Sequence, residues 1–202
     1  MFDWIGELGK AIEAKHGKEA RDKIIGDTSK LTLDHESLAE WFEKFNHGLD
    51  ELDDKDFLTT TIASLCPCRC PDIEENIRKN YEESKDLREF VDRIDKDGLF
   101  EDKVNLEGNV LLATKHPFSK YGKRDHNGPY TTTCHCYIGN HAEKSISDIY
   151  CHCCTVGYYG KMFKNALNKD INVELVESVL SGGKSCIAAI YLPEKSNSSS
   201  RR

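Results

Sequence analysis

No stretch of this 202-residue chain approaches the roughly 18 uninterrupted apolar residues that a membrane-spanning helix needs. The opening MFDWIGELGKAIEAKHGKEA also lacks the form of an export signal, with Asp3 and Glu7 standing where a basic region and an apolar run belong. A basic surface is missing too: the net charge of -7 argues against a general nucleic-acid binder, because attraction to phosphate needs positive charge. No long internal repeat is visible, although CHC occurs at both 134 and 151. Neither membrane nor nucleic acid is expected as a partner. The expected compartment is the reducing cytoplasm, where thiols stay unpaired. An odd count of nine cysteines also fits poorly with a fully paired disulfide framework.

What the chain does hold is thiol in clusters. Eight of the nine cysteines fall in three groups: Cys66, Cys68 and Cys70 in CPCRC, Cys134 and Cys136 in CHC, and Cys151, Cys153 and Cys154 in CHCC. Apolar filler would be scattered, so the clustering points to sulfur chemistry. The expected chemistry is a metal site drawn from these eight thiols, with zinc first because four thiolate or imidazole ligands close its tetrahedron. Copper(I) also suits soft thiolates. An iron–sulfur cluster is a further alternative, ranked lower because the usual ferredoxin spacing is missing. A C-x-C pair recurs in every group, and in an extended strand its two side chains diverge. One sulfur from each cluster is therefore as plausible as two. Eight thiols exceed the needs of one zinc, so two metals or spare thiols are both open.

A run of helices is expected first. Phe2, Ile5, Leu8, Ile12, Ile24 and Ile25 recur near the helical period over residues 2 to about 26. A second helix begins after Thr32 or Asp34, carries Trp41, Phe42 and Phe45, and ends near Gly48. A third, with Phe57, Leu58, Ile62 and Leu65, leads into CPCRCP, where Pro67 and Pro71 break it. Asp72 and Glu75 have the spacing of a capping box for a fourth helix carrying Ile73 to Ile94, whose start would favour a thiolate at Cys70. DKDG at Asp95–Gly98 is a turn and not a calcium loop, since Arg93 and Val104 occupy the first and last ligand positions.

From Val104 the character changes. NVLLAT (109–114) reads as a buried strand, KHPFSKYGKRDHNGPY as an exposed loop or a substrate lid, TTTCHCYI (131–138) as a strand, and 148–153 as another short strand. A helix is expected from about Cys154 to Leu167, then two strands in INVELVESVL and SCIAAIYLP around Gly182-Gly183. The expected fold is α+β: one domain over 1–195, N-terminal helices on a C-terminal mixed or antiparallel sheet, ending helix–strand–strand. A disordered tail is expected over 196–202.

Cys151 to Pro193 resembles the closing unit of the bacteriochlorophyll vinyl-reductase-type small-molecule-binding domain, which shares its fold with the TRAPP and haem-nitric-oxide-binding families. The parts that carry the resemblance are Cys151 to Cys154, Gly157 to Gly160, Glu174 and Glu177, Gly182-Gly183, Cys186, and Ile187 to Leu192. The region is also similar to amino-thiazoline carboxylate hydrolase relatives. The resemblance implies a pocket for a small ligand, with Tyr130, Tyr137, Tyr158 and Tyr159 as candidate walls. In some family members a zinc site uses a Glu and a Cys on the Glu-rich strand. Here Leu175 and Ser178 stand at those positions and leave Cys186, which reads as a buried core thiol.

The alternative to metal binding is a thiol-dependent hydrolase of small heterocyclic or amide substrates. Cys153 or Cys154 would be the nucleophile at a helix start, His135 or His152 the base, and Glu174 or Glu177 its orienting group. A homodimer is compatible with either reading.

Overall fold

The computed structural model describes residues 2–28, 35–100, 104–115, 148–181 and 183–195. Its elements are α1 (Phe2–His16), α2 (Lys18–Ile25), α3 (His35–Leu52), α4 (Lys55–Ser64), α5 (Pro71–Glu83), α6 (Leu87–Lys96), β1 (Asn105–Glu107), β2 (Val110–Lys115), α7 (Tyr158–Leu167), β3 (Asn172–Glu177) and β4 (Cys186–Tyr191). A short 3₁₀ turn at Asp148–Tyr150 and a π-helical segment at His152–Gly157 lead into α7. The fold is α+β, with its helices mostly N-terminal, and it ends helix–strand–strand.

The four strands make one antiparallel sheet in the order β1-β2-β4-β3. β2 and β4 pair over their whole length, from Val110 opposite Tyr191 to Lys115 opposite Cys186. Opposed residues share a face, so Leu111 with Ile190, Ala113 with Ala188 and Lys115 with Cys186 line the inner side of the sheet. Tyr159, Met162, Phe163 and Ala166 recur at helical spacing and bury one stripe of α7 there, joined by Ile77, Phe90 and Ile94 from α5 and α6.

A second apolar cluster belongs to the first four helices. Trp4, Leu8, Ile12, Phe42, Phe45, Leu58 and Ile62 surround Tyr150, whose hydroxyl donates to the side-chain amide oxygen of Asn46. Cys151, Val179, Leu180 and Cys186 belong to this cluster, although they follow or flank the sheet elements. Two cores therefore meet where the π-helical segment runs between α4 and the inner end of β4.

Several boundaries differ from the sequence expectations, each for a local reason. The expected first helix is two, because Gly17 takes φ +88 between α1 and α2. α3 continues through Gly48 to Leu52. That glycine serves close packing, since a Cβ there would stand 3.0 Å from the Ile24 Cα. The fourth expected helix divides at Ser84–Asp86, where the Asp86 side chain accepts from the Glu89 N–H at 2.8 Å and starts α6. Its first half begins two residues early, with Pro71 in the first turn and Cys70 as N-cap, so Asp72 and Glu75 lie inside the helix and form no capping box. The strand expected at 148–153 is helical. β1 is too short for strand alternation to reveal, and it joins β2 through a two-residue turn with Gly108 at φ +62. The 116–138 loop and strand expectations, like the tail at 196–202, lie outside the described residues. Among the described residues no helix is long and apolar enough to cross a membrane.

Gly157 is the tightest point of the seam. A Cβ on it would stand 2.2 Å from the Ala63 carbonyl oxygen and 2.9 Å from the Cys66 Cβ. Gly157→Ala is expected to cost about 2 kcal/mol or more, because backbone on the opposite side cannot rotate away. Gly160 lies within α7, and a Cβ there meets nothing nearer than Val173 at 3.9 Å. Gly160→Ala is expected to be neutral or to stabilise by up to about 1 kcal/mol through helix propensity. Urea unfolding of the two variants tests the contrast, and equal effects would contradict the packing described.

Candidate thiol site

α4 ends at Ser64, and Leu65 closes it by donating to the Thr61 carbonyl at 3.1 Å. Pro67 prevents continuation, so the chain turns through Cys66, Cys68 and Cys70 before Pro71 opens α5. Cys66 is 1 % exposed against the π-helical segment, while Cys68 is exposed. The Lys161 ammonium on α7 donates to the Cys66 carbonyl and fastens this loop to the helix. Cys70 caps nothing with its side chain; its sulfur lies 3.7 Å from the Tyr158 hydroxyl.

The π-helical segment supplies the facing thiols. Cys151 is fully buried, whereas Cys153 and Cys154 are half-buried. Cys153 donates to Cys66, and this lowers the Cys66 thiol to about 6 despite the opposing effect of burial. The Cys68 amide and the charge of Lys161 act in the same direction. Cys153 is correspondingly pushed up, first because its proton serves Cys66 and then by burial. Cys68 is raised by desolvation and by the negative charge on Cys66. The hydrogen bond within this pair thus favours the thiolate on Cys66 and the thiol on Cys153.

A second group lies deeper. Cys151 donates to Cys154 and Cys186, which raises Cys151 and lowers Cys186. The Ser178 hydroxyl is 2.9 Å from the Cys151 sulfur and accepts from the Leu180 N–H at 3.0 Å. Lys115, on the inner face opposite Cys186, reaches over the rings of Tyr158 and Tyr159 and donates to the Cys154 carbonyl at 2.7 Å. This is a cation held against aromatic faces, with its charge directed along the thiol seam. Burial, and after it the contact with Cys70, raises the Tyr158 phenol.

Of the eight thiols expected at the site, Cys66, Cys68 and Cys153 are neighbours, and Cys151 and Cys154 adjoin them in the π-helical segment. Cys70 stands to one side with Tyr158, and Cys134 and Cys136 lie outside the described residues, as do His135, Tyr130 and Tyr137. Among the described residues no three His, Cys, Asp or Glu side chains are already arranged to hold a metal ion, and all seven described cysteines are free thiols.

Of the groups expected of a hydrolase, Cys153, Cys154, His152, Glu174 and Glu177 are among the described residues. The lowered thiol is Cys66, whereas Cys153, within the helical segment, is raised because it donates its hydrogen bond to Cys66. Glu174 accepts from the Tyr191 hydroxyl at 2.9 Å, and Glu177 accepts from the Ser185 and Lys184 amides. Both carboxylates are therefore committed to the β3–β4 unit. Of the candidate wall aromatics, Tyr159 is core, its ring 5.9 Å from that of Phe100, which stacks on Phe163. Cys186 and Ser178 are the members that the clusters did not announce. Reading each cluster as C-x-C also passes over the C-x-x-C spacing between Cys151 and Cys154.

Residues 125–197 match a family described as a family of unknown function (DUF6144). The match spans the second and third cysteine clusters and β4 but leaves out the CPCRC loop. No curated protein and no solved structure matches the chain.

The Cys66 thiolate has a measurable consequence. Its folded value of about 6 lies below the ordinary thiol value of 9.0, so the stability it contributes is fully present above pH 9 and is lost as pH falls through 6. Cys153, shifted the other way, subtracts stability only above pH 9. In metal-free, reduced protein, ultraviolet thiolate absorbance should show a step near pH 6 that Cys66→Ser removes. The unfolding midpoint should rise between pH 6 and 9 in the parent more than in the variant. A titration with no thiolate below pH 8 would contradict the pairing.

Proposed function

We propose that this protein binds a thiophilic metal ion, zinc first, through Cys66, Cys68 and Cys153. The observation that carries the reading is the buried Cys66 thiol set against Cys153 and Lys161, a setting that favours its thiolate form. Thiolate is the ligand form, and a site that ionises it in advance lowers the proton cost of binding. Cys68, beside Cys66 in a loop bounded by Pro67 and the Pro71 helix start, is the third thiol of the proposed set. A cytoplasmic setting agrees with seven reduced cysteines. Iron–sulfur ligation would use the same soft donors and is separated from zinc by colour and acid-labile sulfide.

The resemblance of Cys151–Pro193 to the vinyl-reductase-type unit supports a small ligand near the same seam. A groove of about 280 Å³ lined by Ala63, Gly157, Gly160, Lys161 and Ile171 runs beside it. Lys161 there joins the groove wall to the Cys66 loop.

Elemental analysis tests the metal reading on protein purified anaerobically without chelator or metal-affinity tag. About one zinc per chain is expected in the parent. Cys66→Ser and Cys153→Ser should lower metal content and thermal stability together, because binding is coupled to folding. Cys70→Ser should retain the metal. A fully folded, metal-free parent that takes up no added zinc would overturn the proposal.

A further inference from the structure

Cys151 and Cys154 form a C-x-x-C pair inside a continuous helical run, and neither is among the ligands proposed above. The two thiols hydrogen-bond to each other, which brings their sulfurs together. A disulfide needs Cβ atoms about 3.5–4.5 Å apart, a separation that neighbouring sulfurs can reach by side-chain rotation and local backbone adjustment. The Cys154 sulfur already lies 3.9 Å from the Cys151 carbonyl, directed back along the helix toward that residue. A π-helical stretch is a common place for a functional departure from regular α-helix.

The two thiols differ in access. Cys154 is half-buried and meets solvent, whereas Cys151 has no exposed surface. The Ser178 hydroxyl, 2.9 Å away and itself fixed by the Leu180 amide, holds the Cys151 sulfur in place. Lys115 holds the Cys154 carbonyl, and its ladder partner Cys186 lies beneath. An outer thiol that meets the reagent and an inner thiol that resolves the adduct is the division of labour that dithiol exchange requires.

We propose that Cys154 and Cys151 are a thiol–disulfide exchange site for low-molecular-weight disulfides. The Cys154 thiolate attacks one sulfur of the disulfide, forming a mixed disulfide and releasing one thiolate. That thiolate takes the Cys151 proton, and the Cys151 sulfur attacks Cys154. The protein disulfide forms, and the second small thiol leaves. Two electrons pass from the protein dithiol to the small disulfide, and two small thiols are produced. Reduction by excess small thiol runs the same steps backwards. The proposal does not depend on metal binding, since its thiols and its readout are different.

The test is linkage mapping of the full chain equilibrated with oxidised and reduced glutathione, with free thiols trapped by alkylation and peptides read by mass spectrometry. The Cys153→Ser background leaves only Cys151 and Cys154 in their segment. There the expected result is a reversible disulfide between them, formed over the range of glutathione ratios that oxidises ordinary protein dithiols. Cys151→Ser should stop at a glutathione adduct on Cys154, and Cys154→Ser should give neither adduct nor disulfide in that segment. Cys70→Ser should leave the linkage unchanged. If the Cys151 variant fails to fold, linkage in the Cys153→Ser chain still decides. No Cys151–Cys154 linkage under oxidising glutathione, or labelling of Cys151 in Cys154→Ser, would overturn the proposal.

Discussion

The close approach of the π-helical segment to the end of α4 is the constraint on which the site depends. With no side chain at Gly157, the helix backbone can lie against the Ala63 carbonyl and the Cys66 side chain. That contact brings the CPCRC loop over the CHCC segment, thiols from parts of the chain 85 positions apart. It also joins the two cores, because α4 belongs to the first-helix cluster and α7 to the sheet cluster. Any bulk at this position would separate both the cores and the sulfurs.

Along this seam the thiols form a chain of neighbours: Cys68, Cys66, Cys153, Cys154, Cys151 and Cys186. Each touches or electrostatically senses its neighbour. A buried thiolate is costly unless donors surround it. Here the Cys153 thiol, the Cys68 amide and Lys161 supply that surrounding for Cys66. Lys115 contributes positive charge from the other side, fixed by two tyrosine rings and a carbonyl. The result is a soft-donor environment that favours a thiolate at Cys66, the setting on which the proposed metal binding rests.

Much of the frame was legible in the residues, and the reasons are physical. α7 and the β3–β4 unit follow from long, periodic apolar patterns bounded by glycine. The end of α4 follows from Pro67 and the clustering of sulfur from its rarity elsewhere in the chain. What sequence could not supply was contact at distance. Nothing in the order of residues pairs Cys66 with Cys153, or places Ser178 and Cys186 beside Cys151, because those meetings depend on how α4, β3 and β4 pack. Local pattern also misled at Cys153, where a helix start suggested a thiolate. Tertiary contact gave the charge to Cys66 instead. The segment 148–153 reads as a strand by its apolar and aromatic residues, yet Ile149 and Tyr150 are buried by helical turns among the first four helices.

The most direct measurement is X-ray absorption at the metal edge of protein isolated anaerobically, comparing the parent with Cys66→Ser. The account predicts a first shell dominated by sulfur at about 2.3 Å for zinc, with a sulfur lost or the metal absent in the variant. A shell of nitrogen and oxygen alone, or a sulfur shell that Cys66→Ser leaves unchanged, would contradict it.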